Sequence, residues 1–141
     1  MKLVLDTNIY CDFAEAVPAV VDTLVEFGDQ LYLPTIVIAE LTYGFMKGTR
    51  QEYDENKLQD IITKLQINII NIDKNVARKY ALIYLHLVKK GRKIPINDVW
   101  IAACCMDIGG TLFSRDGHFA EIDLIDHLPF TKDIRGQTSI L

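Results

Sequence analysis

"KLVLDTNIYCDFAEA", Lys2 to Ala16, decides the fold. Leu3, Val4 and Leu5 form a short unbroken apolar run suited to a buried strand, and Asp6 ends it. "TNIYCDFAEA" then reads as a helix, so the chain opens strand, acid, helix. The same alternation continues outward. "VPAVVDTLVEFG" reads as a helix ending at Gly28, "QLYL" as a second strand, and Pro34 and Thr35 open a helix running to about Lys47. "DENKLQDIITKLQ" has helical spacing at Leu58, Ile61, Ile62 and Leu65, and "INIINI" is a third strand. Asp73 caps a helix whose Val76, Tyr80, Ile83 and Leu87 make one stripe. After "KKGRKIPI", Asn97 or Asp98 caps a helix ending at Gly109 and Gly110, followed by strand "TLFS", a turn at "RDGH" and strand "EIDLI". Strands alternating with helices predict an α/β fold with a mostly parallel central sheet and helices on both faces. In such sheets function gathers beyond the carboxyl ends of the strands.

Composition agrees with a globular domain. The chain has 141 residues, 50% hydrophobic and 24% charged, enough for one domain with its own core and unlike a disordered segment. A mean hydropathy of +0.14 is high for so small a domain and points to apolar surface covered by another chain. No apolar run approaches the roughly 20 residues of a membrane span, and Asp6 interrupts the start too early for a signal peptide, so the chain is expected to stay in the cytoplasm. Cys11, Cys104 and Cys105 read as small buried hydrophobes in reduced form; neither they nor His86, His118 and His127 have zinc-type spacing. A formal charge of -4 argues against a broad basic surface for nucleic acid, although a local patch or bound cations can still hold a phosphate backbone.

Four acids stand at borders between core and surface. Asp6 follows the first strand, Asp98 opens a helix before "VWIAA", and Asp116 follows "TLFS" by one residue. Each also has a plain structural reading: Asp6 and Asp98 as N-caps, Asp116 before Gly117 as a turn residue. Glu40 lies too far into its helix to cap it, and four of the five residues before it are apolar. Its alternatives are a thin solvated stripe or a carboxylate aimed at the strand edge. In the second case several acids would converge and raise one another's pKa values unless a divalent cation neutralised them. Oxygen donors without a histidine or thiol pattern call for Mg2+ or Mn2+.

"LVLDTN", "AELTYG", "NDVWIAA" and "LFSRDGHF" together resemble the motifs of the PIN-domain ribonucleases, and within them the VapC-type toxins of toxin-antitoxin pairs. The resemblance runs in order from Leu3 to Phe119. It implies a three-layer α/β/α PIN-like domain, read as residues 1–130; residues 131–141 are read as a C-terminal tail without a motif, on which the resemblance is silent. It implies that Asp6, Glu40, Asp98 and Asp116 form a catalytic, metal-holding acidic site for Mg2+, with Mn2+ able to substitute. Asn8 and Ser114 would orient the acids through hydrogen bonds; many members of the family have Thr in place of Ser114, so the hydroxyl is kept.

The activity implied is endonucleolytic hydrolysis of RNA phosphodiester bonds, with in-line attack by metal-activated water, a carboxylate helping as base, and products bearing a 5'-phosphate. Candidate RNA contacts are Lys47, Arg50, Lys89, Lys90, Arg92, Lys93 and His118. "KKGRK" is equally well explained by basic residues completing a helix C-terminus, Lys47 and Arg50 by a solvated helix end, and His118 by a turn. The resemblance further implies a cognate antitoxin lying in an apolar groove, and a homodimer. Phe13, Tyr43, Phe45 and Met46 are the candidates to line that groove, with a place in the core as the other reading. Two other classes remain: a non-catalytic RNA- or protein-binding PIN-like module, and a phosphatase with an aspartate nucleophile. The phosphatase pattern wants a second aspartate where this chain has Asn8.

Overall fold

The apolar runs at Leu3, Leu31 and Leu112 form the centre of one sheet, seen in a computed structural model that describes residues 1–132 and 138–140. The strands are β1 (Lys2–Leu5), β2 (Gln30–Pro34), β3 (Asn68–Ile70), β4 (Thr111–Ser114), β5 (Asp126–Lys132) and β6 (Thr138–Ile140). Their order is β3-β2-β1-β4-β5-β6, with every pairing parallel except the antiparallel pairing of β5 with β6. Between them run α1 (Thr7–Ala14), α2 (Pro18–Phe27), α3 (Thr35–Lys47), α4 (Gln51–Lys64), α5 (Lys74–Lys90) and α6 (Ile96–Ile108), and a short 3-10 helix spans Gly117–Glu121.

Consecutive residues of a strand point to opposite faces, and Leu3, Val4 and Leu5 are all buried. Helices therefore cover both faces, which gives the three-layer α/β/α architecture expected of the sequence. Val76, Ile83 and Leu87 bury the inner stripe of α5, and Tyr80 stacks on Trp100 of α6 with ring centroids 4.0 Å apart. Asp73 caps α5 by accepting from the backbone N–H groups of Asn75 and Val76. At the other end Gly91, at φ 70°, turns the chain out of the helix in the left-handed conformation that a Cβ disfavours. Cys104 and Cys105 are buried in α6, as expected of small hydrophobes, whereas Cys11 is only half-buried.

Two local expectations are corrected. "EIDLI" is not a strand: the 3-10 helix reaches Glu121, and the strand lies five residues later as β5, registered on β4 through Leu112 with His127 and Phe113 with Leu128. Phe119 and Ile122, three residues apart, are both buried, a spacing that suits a tight helical turn better than a strand. Neither Asn97 nor Asp98 caps α6. Pro95 occupies that position with its fixed φ, and Asp98 sits in the first turn. The helical spacing of "DENKLQDIITKLQ" is met by α4, which begins at Gln51. Beyond Phe130, β5 continues to Lys132 and β6 pairs with it; residues 133–137 and 141 lie outside the described residues.

Candidate active site

The register of β1 on β4 builds the site. Leu5 lies opposite Phe113, so the next residues, Asp6 and Ser114, emerge side by side at the carboxyl ends of neighbouring parallel strands. The backbone N–H of Asp6 still donates to the Phe113 carbonyl at 3.1 Å, which fixes where its side chain leaves the sheet. Asp6 is 4% exposed, and its carboxylate accepts from the Thr7 backbone N–H at 2.8 Å, from Ser114 Oγ at 2.6 Å and from Asn8 Nδ2 at 3.2 Å. It is thus an N-cap of α1, and it also feels the charges of Asp98 and Glu40.

Glu40 reaches the same edge from α3. Its Oε1 accepts from Thr7 Oγ1 at 2.8 Å, which ties α3 to the start of α1. Asp98, 8% exposed in the first turn of α6, lies with Oδ2 3.0 Å from His118 Nδ1. Asp116 caps the 3-10 helix by accepting from the His118 backbone N–H at 2.9 Å, and its own N–H donates to Ser114 Oγ at 2.9 Å. His118 Nδ1 also stands 2.9 Å from Asp116 Oδ1. Ser114 is therefore a hinge pin, accepting from one acid's backbone and donating to another acid's side chain.

Burial and the charges of neighbouring acids leave Asp6 and Asp98 reluctant to ionise. Burial lifts the Asp6 pKa from 3.8 to about 6; the bonds from Ser114 and Thr7 pull it down, while the charges of Asp98 and Glu40 push it up. Burial likewise raises Asp98, against the stabilising bond from His118, with Asp116 and Glu40 adding repulsion. His118 answers in kind: the hydrogen bond to Asp98 raises its pKa, and the charge of Asp116 adds to that. Such a cluster of oxygen donors, two of them buried and destabilised as anions, fits a divalent cation.

Three residues that matter here escaped the sequence reading. Thr7 holds Glu40. Asp12, 2% exposed on α1, accepts a forked contact from Arg115, whose Nε lies 2.7 Å from Oδ2 and whose second terminal nitrogen lies 3.3 Å from Oδ1. Arg115 stands between Ser114 and Asp116, and its backbone N–H donates to Asn8 Oδ1 at 3.2 Å, so the loop after β4 is fastened to α1 at two points. An acid among Ile9, Tyr10 and Phe13 was the available signal, since a carboxylate so placed requires a cation.

The basic candidates divide. Lys90 pairs with Glu121 and Asp123, and Arg92 with Glu121, so both tie the end of α5 and the loop after it to the end of the 3-10 helix. Lys47 lies over the ring of Tyr43 and Arg50 over that of Tyr53, each at 4.9 Å, and Arg50 also approaches Asp54 at 3.8 Å. Lys89 and Lys93 are exposed on either side of Gly91. Tyr43 and Met46 are exposed on α3, while Phe13 and Phe45 are half-buried and line different cavities, of about 580 Å3 and 230 Å3.

A three-layer domain with an acidic centre at the carboxyl edge of a parallel sheet defines a class of metal-compatible α/β sites. The chain belongs to the PIN domain family, whose family model matches residues 3–125. It is 29% identical over 123 residues to the VapC ribonuclease Y4jK of Sinorhizobium fredii, covering 81% of this chain and 86% of that protein. It is 26% identical over 95 residues to ribonuclease VapC5 of Mycobacterium tuberculosis, covering 67% and 70%. Among solved structures, VapBC2 of Rickettsia felis bound to a DNA fragment from its promoter superposes with a TM-score of 0.80 at 25% identity, over 90% of this chain and 97% of that one. Among the described residues no helix is long and apolar enough to cross a membrane.

Proposed function

We propose that this chain is a metal-dependent endoribonuclease acting as the toxin of a toxin-antitoxin pair. The observation that carries the reading is the convergence of Asp6, Glu40, Asp98 and Asp116 from four separate elements, with Asp6 and Asp98 raised in pKa by burial and by their acidic neighbours. The four acids would hold Mg2+, with Mn2+ able to replace it. That ion supplies a lowered pKa for an attacking water and a positive charge facing the phosphodiester.

The chain's own residues do the rest. Ser114 and Asn8 fix the direction of the Asp6 carboxylate, and Thr7 fixes Glu40, so the donor oxygens are in place before substrate arrives. A carboxylate of the cluster accepts the proton of the attacking water at an oxygen, and the products carry a 5'-phosphate. Lys89 and Lys93, exposed where α5 leads into α6, take the RNA backbone, helped by Lys47 and Arg50. An antitoxin protein covers exposed apolar surface such as Tyr43 and Met46, the active form is a homodimer, and an RNA target places the work in the cytoplasm. An aspartate-nucleophile phosphatase is disfavoured because Asn8 stands two residues after Asp6, where that pattern wants a second aspartate.

Induced expression in a bacterial host lacking the antitoxin tests the reading. Growth arrest with RNA cut at discrete sites bearing 5'-phosphate ends, abolished by Asp6→Asn, is the expected result. Undisturbed growth and intact RNA in cells that accumulate the folded protein would overturn it.

A further inference from the structure

His118 has no assigned task in the chemistry just described, yet its Nδ1 lies where two of the acids meet. It stands 3.0 Å from Asp98 Oδ2 and 2.9 Å from Asp116 Oδ1, and the three atoms all lie within 4.8 Å of one another. One ring nitrogen carries at most one proton and satisfies one of these carboxylates well, not both. Two ligand atoms at right angles around an ion, each about 2.1 Å away, stand about 3 Å apart. The spacing of the nitrogen from each oxygen is that of neighbouring ligands on one cation.

We propose that His118 is a direct ligand of the divalent ion, joining Asp98 and Asp116 in a mixed nitrogen and oxygen face that tilts the site away from Mg2+ toward transition metals such as Mn2+ and Co2+. This rests on the metal reading of the acidic cluster. Mg2+ favours oxygen ligands and retains its water, whereas first-row transition ions accept imidazole readily. The position is prepared. The His118 backbone is held by its N–H to Asp116 Oδ1, and the next residue, Phe119, is fully buried, so the 3-10 helix is anchored. The imidazole side chain is 49% exposed, which leaves its ring free to turn without disturbing packing.

The test is electron-spin-echo spectroscopy of the Mn2+-loaded protein, with Mn2+ and Mg2+ affinities measured by calorimetry. The variants are His118→Ala and His118→Gln; the amide of the latter still donates to the carboxylates but offers no imidazole nitrogen. The expected result is an echo modulation from a directly bound nitrogen in the parent, lost in both variants, with Mn2+ affinity falling about tenfold and Mg2+ affinity little changed. Mn2+ bound equally by all three proteins with no nitrogen modulation would overturn the role of His118 and leave the carboxylate site standing. No Mn2+ binding by any folded form would overturn the metal reading and this proposal with it.

Discussion

Ser114 Oγ donates to Asp6 Oδ2 at 2.6 Å, joining residues 108 positions apart at the ends of two adjacent parallel strands. The bond is a consequence of register. With Leu5 opposite Phe113, a one-residue slip of β4 would carry the hydroxyl to the other face of the sheet and leave the buried carboxylate without it. The same oxygen accepts from the Asp116 backbone, so the sheet itself sets the relation between two acids of the cluster.

Removing that hydroxyl has a directed effect. The bond lowers the Asp6 pKa against its burial, so Ser114→Ala raises it further. RNA cleavage by Ser114→Ala should drop by about 10- to 100-fold, with the acid limb of the pH profile displaced to higher pH. Ser114→Thr should retain most activity. Rate profiles from pH 5 to 9 for the three proteins check this.

Stability without metal should fall as pH rises. The folded Asp6 pKa of about 6 lies above its ordinary value of 3.8, so between these values the folded state holds a proton that the unfolded chain has released. The contribution of neutral Asp6 is full below about pH 4 and is lost as pH rises through about 6, a change of roughly 3 kcal/mol. Asp6→Asn removes this dependence. Thermal melts in chelator should show the variant gaining stability on the parent from pH 4 to 7; parallel curves would contradict the burial account.

Arg115 and Asp12 give a third expectation. Asp12 is buried while Arg115 is partly exposed, so Arg115→Ala leaves a carboxylate in the core without its guanidinium. The cost should be about 2 to 3 kcal/mol, at or just below the roughly 3 to 5 kcal/mol of fully buried pairs because one partner is partly exposed. Asp12→Asn should cost less. Denaturant unfolding of the metal-free proteins measures both.

Much of this was legible in the chain. Buried parallel strands read as unbroken apolar runs, so β1 and β4 stood out, and with them the acids that end or follow each strand. Helix α5 was visible in its stripe and in Asp73. β5 was not visible. Pro129 lacks an N–H and argues against a strand, and Asp126, His127 and Lys132 dilute the pattern; what makes a strand of it is the edge offered by β4. Local composition says nothing about that edge. Asn97 and Asp98 imitated a helix cap because Asp is a common N-cap, whereas Pro95 starts the helix and Asp98 faces His118. Thr7, Asp12 and Arg115 stayed hidden for the same reason: their partners are 33 or 103 residues away, and only the fold brings them together.

Cleavage of an end-labelled RNA by the purified, metal-loaded protein tests the central claim most directly, with chelator and Asp98→Asn as controls. The account predicts discrete products with 5'-phosphate ends that disappear in both controls. Cleavage that survives chelation and the substitution, or intact RNA across single-stranded and structured substrates with folded, metal-loaded protein, would contradict it.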